Sequence, residues 1–347
     1  MPVYGKGYRR WEGELRGRFF RWLTIARAGI QLTGRSKWLR RFLLVAWLPL
    51  LYWGLFFFAV GKLTDASTLE NAKDTLYFGL MRGLVGSEIT DRFIEDPGAF
   101  RPAIWAMAVH YFLRYTQIFS VIIVVAIVGP RLVSEDLRSR ALALYFSKPL
   151  TRFDYVVGKL AIVAFWVGCV TLLPALALYA VSVAFSPSFD TIAQTIAIVP
   201  KIALFTGILM LGTGSLVLAL SSLTRNPRFL GFAWVGLWVM SSVVSTILSH
   251  ALFPRFGASA SVTDPQDDWT GLFSLLANFN SIGFGIFDVE GLISPYAKIS
   301  RTAARLLAEL SYGHDWLGSL GVIGCLAAGS LLVLLRQIGR PGEAGAR

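Results

Sequence analysis

The sequence predicts an all-α membrane protein. Its expected parts are six transmembrane helices, an N-terminal interfacial helix, a short amphipathic helix between the second and third spans, and a small cap on the far side of the membrane. Three observations predict it. Mean hydropathy is +0.59, with 55% hydrophobic and 16% charged residues, a composition foreign to water-soluble domains. Six apolar runs reach the roughly 20 residues that a helix needs to cross the hydrocarbon core. Of the 33 Lys and Arg residues, 22 fall in the two termini and in alternate connections between the runs.

Residues 1–41 form a basic leader with eleven Lys and Arg. From Arg18 to Arg41 the arginines alternate with Phe19, Phe20, Trp22, Leu23, Ile25, Ile30, Leu32 and Trp38. That mixture suits a helix lying flat among lipid headgroups; a leader that only sets topology is the alternative. Residues 42–252 hold spans one to five: Phe42–Val60, Ile104–Val128, Leu160–Phe185, Ile202–Leu220 and Phe229–Leu252. Residues 317–347 hold the sixth, Leu317–Leu335, and a basic tail. Helices are expected because they satisfy their own backbone hydrogen bonds in lipid. Pro49 and Pro174 lie inside spans one and three and are expected to kink them.

The connections 61–103, 186–201 and 253–316 carry ten basic and fifteen acidic residues. By the positive-inside rule both termini and the connection 130–159 face the cytoplasm, which predicts a multi-pass protein of the bacterial inner membrane. Nucleic acid is not an expected partner, because the cations follow membrane sidedness and form no single groove; membrane lipids are. The two long acidic connections contain amphipathic stretches, 77–94 and 303–310, expected to pack as a cap open to a periplasmic partner. The run 271–287 is apolar but interrupted by Asn278, Asn280 and Ser281. A seventh span there would move the basic C-terminus outside, so the run reads as an interfacial or cap segment.

Little in the chain suggests chemistry of its own. Cys169 and Cys325 both fall in spans, so no disulfide framework is indicated. His110, His250 and His314 are scattered, and Asp315 alone adjoins one of them, so no metal site is expected. No serine or cysteine nucleophile has a catalytic setting. Arg114 is a candidate intramembrane polar site by virtue of its place near a span end, although it and Lys201 can also snorkel to headgroups. Gly321, Cys325 and Gly329 form a small-residue stripe on the sixth span, for helix packing within one subunit or across a dimer.

The connection 130–159 is the most informative segment. Leu137, Ala141, Leu144 and Tyr145 fall at helical spacing, with Arg138 elsewhere on the surface. Lys148-Pro149 stops that helix. Thr151 and Asp154 then have capping-box spacing at the start of span three. A charged loop lying on the headgroups is the alternative reading.

The run SEDLRSRALALYFSKPLTRFDYVVGK resembles the first cytoplasmic loop of ABC-2 type permeases. That loop has a charged start, a leucine-rich helix, a Ser-x-Pro-x-[Ser/Thr]-Arg turn and a closing Gly-Lys, met here at Glu135, Asp136, Arg138, Leu142, Leu144, Ser147, Pro149, Thr151, Arg152, Gly158 and Lys159. The run LALSSLTRNPR, Leu218 to Arg228, resembles the same family. Many members have Gly-Thr where this chain has Arg140 and Ala141.

The resemblance implies a coupling helix that contacts a nucleotide-binding subunit through Glu135, Asp136, Leu137, Arg138, Arg140, Ala141, Leu144 and Tyr145. Ser147, Pro149, Thr151, Arg152, Asp154, Gly158 and Lys159 make the turn and cap behind it. It implies a homodimer working with two ABC ATPase subunits, which hold the ATP and Mg, with no cofactor on this chain. The three Gly-Lys pairs at positions 5, 61 and 158 lack the remaining residues of a phosphate-binding loop. A non-catalytic permease of an ATP-driven exporter is therefore the expectation. A non-transporting ATP-driven scaffold for an envelope partner is the alternative. A secondary transporter fits less well, since the spans contain no Asp or Glu.

Overall fold

The computed structural model describes residues 20–63, 87–146, 150–186, 190–224, 226–252, 269–298, 300–310 and 314–339. Among them six helical stretches are long and apolar enough to cross a membrane: Lys37–Gly61, Gly98–Arg138, Arg152–Ala184, Asp190–Leu223, Pro227–Leu252 and Trp316–Ile338.

Local chemistry sets where each helix starts and bends. Helix α1, Arg21–Gly34, ends at Arg35. Ser36 then caps α2, Lys37–Trp47, by accepting the Leu39 amide at 3.5 Å. A break at Leu48 precedes α3, Pro49–Leu63, where the missing N–H of Pro49 falls at a helix start and costs little. α2 and α3 together make the first span. It starts five residues before the apolar run, since Lys37, Arg40 and Arg41 are all exposed.

The second span follows the short α4, Ser87–Glu95. It runs through α5 (Pro97–Tyr111), a π-helical turn (Phe112–Gln117), α6 (Ile118–Val128) and α7 (Pro130–Arg138). Its 41 residues amount to about 60 Å of helix, twice the hydrocarbon thickness, so it projects well beyond the bilayer. After the short α8, Ala141–Phe146, the third span consists of α9, Arg152–Val170, and α10, Leu172–Ala184. They meet at a bend at Thr171 (φ −119°, ψ −66°), three residues before Pro174.

α11 (Asp190–Thr195) leads into α12 (Ile198–Leu223), the fourth span. α13 (Pro227–Leu252) is the fifth. A 3-10 turn, Trp269–Phe273, α14 (Leu275–Ile286), α15 (Val289–Ala297) and α16 (Arg301–Leu310) precede the sixth, α17 (Trp316–Ile338).

Spans two, three and four form the core. Their most apolar stretches are 61%, 50% and 67% buried, against 22%, 17% and 22% for spans one, five and six. The core helices approach closely: a Cβ at Gly129 would lie 2.3 Å from Val217 Cγ2, so only glycine lets span two cross span four there.

α14 is not on the surface. It packs against α12, α13 and α17, with Asn278, Phe279, Asn280 and Ser281 all buried. Twelve residues give about 18 Å, too short to span, so the interfacial or cap reading of 271–287 gives way to a helix wedged into the bundle. The Asn278 amide nitrogen is accommodated locally, Nδ2 donating to the Leu272 and Ser274 carbonyls at 2.7 and 2.8 Å, whereas the buried Asn278 Oδ1 and Asn280 Oδ1 meet no hydrogen-bond donor among the described residues.

The bundle has two distinct ends. α1 packs on α9, and a Cβ at Gly339 would lie 2.8 Å from Arg152 Nη1. Helix α1, the end of span six and the described residues of the 130–159 connection therefore share one basic end. At the other, Phe93 of α4 meets Phe100 of α5 at 5.7 Å, and Phe100 meets Tyr296 of α15 at 4.9 Å, while α15 packs on α16. Helices from both long connections thus gather there. Positions 77–86 of the first amphipathic stretch lie outside the described residues.

Candidate functional site

The basic end is built around α7, and two buried polar devices hold it. The first comes from span four. Pro130 opens α7 without an N–H of its own, and the fully buried Ser221 hydroxyl lies against the first turn that follows. It accepts the Val133 and Ser134 amides at 3.2 and 3.1 Å and donates to the Pro130 carbonyl at 3.1 Å. A serine in the last turn of α12 therefore caps a helix 88 residues away in sequence.

The second device comes from span three. Lys159 Nζ lies 2.7 Å from Asp136 Oδ2, the two side chains only 9% and 15% exposed. The Tyr155 hydroxyl donates to the same oxygen at 2.7 Å. The Lys159 ammonium stands 5.4 Å from the Tyr155 ring, and the Tyr145 ring meets Tyr155 edge-on at 5.6 Å. Burial, then the Asp136 carboxylate, pushes the Tyr145 phenol above its usual pKa, which keeps it neutral beside the anion. Asp136, expected on the partner surface, instead turns inward and joins the closing Lys159 in a charge pair.

Gly158, next to that lysine, serves a different contact. A Cβ there would lie 2.8 Å from Ile25 Cβ and 3.0 Å from the Trp22 carbonyl oxygen. α1 thus seats in a notch of α9, and Trp166 Nε1 donates to Thr33 Oγ1 at 2.8 Å farther along. α1 buries Ile25 and Ala26 while leaving Leu23 and Leu32, with Phe20 just before it, exposed, so it is a packed element of the bundle as well as a surface helix.

The amphipathic helix read from spacing is two helices. Arg140 has φ +55°, a left-handed conformation costing a non-glycine residue roughly 1–2 kcal/mol, and it separates α7 from α8. Leu137 and Ala141 therefore lie on different helices. Arg140 occupies the position that the resembled loops commonly give to glycine, the residue that this backbone favours. Glu135, Arg138 and Arg140 are exposed, whereas Leu137, Ala141 and Tyr145 are half-buried. The Leu144 side chain and residues 147–149, including Ser147 and Pro149, lie outside the described residues. Thr151 and Asp154 form a reciprocal capping box: Thr151 Oγ1 accepts the Asp154 amide at 3.1 Å, and Asp154 Oδ2 accepts the Thr151 amide at 3.0 Å. Arg152, the next residue, is exposed.

The other candidates lie elsewhere. Arg114 sits in the π-helical turn, half-buried, its guanidinium 4.9 Å from the Tyr115 ring centroid, apart from α7. Gly321, Cys325 and Gly329 are exposed, and a Cβ on either glycine would meet nothing within 4 Å. Span six packs inward through Ser319, Ile323, Leu334 and Ile338 instead, so the stripe meets no helix among the described residues.

Sequence reasoning missed Ser221 as a cap and the pairing of Asp136 with Lys159. It also missed Arg101, buried at the far end, which donates from Nη1 to Thr191 Oγ1 at 3.0 Å. The motif spacing marked Ser221, Asp136 and Lys159 as part of an informative run, but not their partners.

A family model described as ABC-2 family transporter protein matches residues 24–320, from within α1 to within α17, and so includes α7, α8, α9 and Ser221 of α12. None of the curated proteins matches the sequence.

Proposed function

We propose that the block at the basic end transmits force, on the premise that the chain belongs to the ABC-2 transporter family and is a multi-pass membrane permease of an ABC transporter. In this reading the basic end faces the cytoplasm of a bacterium. The exposed side of α7 and α8, with Glu135, Arg138 and Arg140, docks onto a separate ATPase subunit that binds ATP and Mg and does the hydrolysis. Two copies of the permease work with two ATPases to move a substrate outward. The apolar outer faces of spans one, five and six suit lipid and a second copy.

One observation carries the proposal. α7 continues span two, is tied to span three by Asp136 and Lys159, and to span four by Ser221. A push on its exposed face acts on all three core helices at once. The packed core is not continuously deformable, so such a push favours a switch between discrete arrangements of the spans.

The test is co-purification. Arg138→Glu and Leu144→Glu are expected to abolish recovery of the ATPase subunit with detergent-solubilised permease, while membrane insertion is unchanged. Full recovery with either variant would remove the docking assignment. The far end supports a second reading: α4, α15 and α16 gather there as a platform on which an envelope partner could receive the motion without substrate flux. Flux in reconstituted vesicles separates the two.

A further inference from the structure

We propose that the basic end carries a binding site for one anionic phospholipid, held in a cleft between α1, the start of α2, the α6–α7 junction and the start of α13. The proposal rests on the cytoplasmic orientation given above. The cleft has a volume of about 1110 Å³, just above the range of ordinary ligand pockets and large for a bare ion. Four arginines line it from four different elements or junctions: Arg21, Arg35, Arg131 and Arg228. The carboxylates in the lining are Glu135, 3.8 Å from Arg131, and Asp136, already committed to Lys159 at 2.7 Å. The balance is cationic. Guanidinium forks match phosphate oxygens bidentately, and a cationic lining suits a phospholipid of net negative headgroup better than a zwitterionic one, whose phosphate is the same but whose ammonium would be repelled.

The remaining walls are apolar, formed by residues such as Leu32, Trp38, Leu39 and Ile127. Trp38 is 74% exposed, and an exposed tryptophan beside arginines marks headgroup depth. From Trp38 the exposed side chains of Leu44, Val45 and Leu48 continue along the first span, a track for an acyl chain. A soluble phosphate ligand would have no use for such walls. The basic leader itself is a poor occupant, since residues 1–19 carry Lys6, Arg9, Arg10, Arg16 and Arg18 against Glu12 and Glu14 and would be repelled.

Binding to the full-length purified permease tests the site. Dioctanoyl phosphatidylglycerol, dioctanoyl phosphatidylcholine and glycerol 3-phosphate are titrated separately, read by thermal shift and by native mass spectrometry. Phosphatidylglycerol is expected to bind in preference to phosphatidylcholine, and glycerol 3-phosphate only weakly. An arginine near an anionic headgroup contributes roughly a fivefold change in affinity, so Arg35→Gln with Arg228→Gln weakens phosphatidylglycerol about 25-fold. Phosphatidylcholine binding stays unchanged, and Arg35→Lys with Arg228→Lys retains most of the affinity. Equal binding of the two lipids, or an unaffected double glutamine variant, overturns the site. Binding of glycerol 3-phosphate as tight as that of the lipid overturns its assignment to a lipid. ATPase co-purification persists in the glutamine variant, so a failure here is distinct from a failure of the docking reading.

Discussion

Breaking the Asp136–Lys159 pair from one side should destabilise the protein far more than removing it whole. At 2.7 Å and an effective dielectric constant of about 20, the attraction is roughly 6 kcal/mol. Desolvation of two side chains that are 9% and 15% exposed offsets much of that gain. Lys159→Met leaves a buried carboxylate with the Tyr155 hydroxyl; Asp136→Asn leaves a buried ammonium facing an amide. Each single change should cost about 3–5 kcal/mol, because an uncompensated charge stays behind, whereas the double change should cost about 1 kcal/mol. For a chain this long, 1 kcal/mol moves Tm by roughly 2 °C. Thermal unfolding of detergent-purified protein, followed by tryptophan fluorescence, should therefore show falls of about 6–10 °C for each single variant and about 2 °C for the double variant. Small single effects, or single effects that simply add in the double variant, would refute the pair as the tie between α7 and span three.

Two further perturbations test the same block. Ser221→Ala removes the acceptor for two buried amides and should cost about 1–3 kcal/mol, seen as a Tm fall of about 2–6 °C with membrane insertion intact. Gly158→Val places a branched side chain against Ile25 and the Trp22 carbonyl. It should release α1, costing about 1–3 kcal/mol, and show up as faster tryptic cleavage at Arg27.

The sequence made some of this legible because the governing forces are local. Apolar runs long enough to span, free of charge except for Arg114 in the second, became the six membrane helices. Thr151 and Asp154 are three residues apart, and their capping geometry follows from that spacing alone. Pro49 opens α3 at the break after Leu48, where its missing amide costs little, and Pro174 lies three residues past the bend at Thr171. The rest depends on partners that spacing cannot supply. Asp136 looked like a surface acid until Lys159 faced it, and Ser221 gives no local sign that it accepts amides 88 residues away. The helix of the loop splits because Arg140 adopts a left-handed backbone that few side chains choose, so periodicity ran through the break without a signal. Asn278 and Asn280 argued against a span at 271–287 by their polarity, but the short helix there buries both, and Asn278 Nδ2 finds the Leu272 and Ser274 carbonyls close by in sequence. The stripe at Gly321, Cys325 and Gly329 was equally compatible with inward and outward placement, since either face of a membrane helix is apolar.

The central claim is that the exposed face of α7 lies in the cell interior against an ATPase. Arg138→Cys, in a chain with Cys169 and Cys325 replaced by alanine, provides the direct measurement through a membrane-impermeant maleimide. Inside-out vesicles should label, more strongly once the ATPase subunit is stripped away, while intact spheroplasts should not. Labelling from outside intact spheroplasts would place α7 on the wrong side of the membrane and contradict the account.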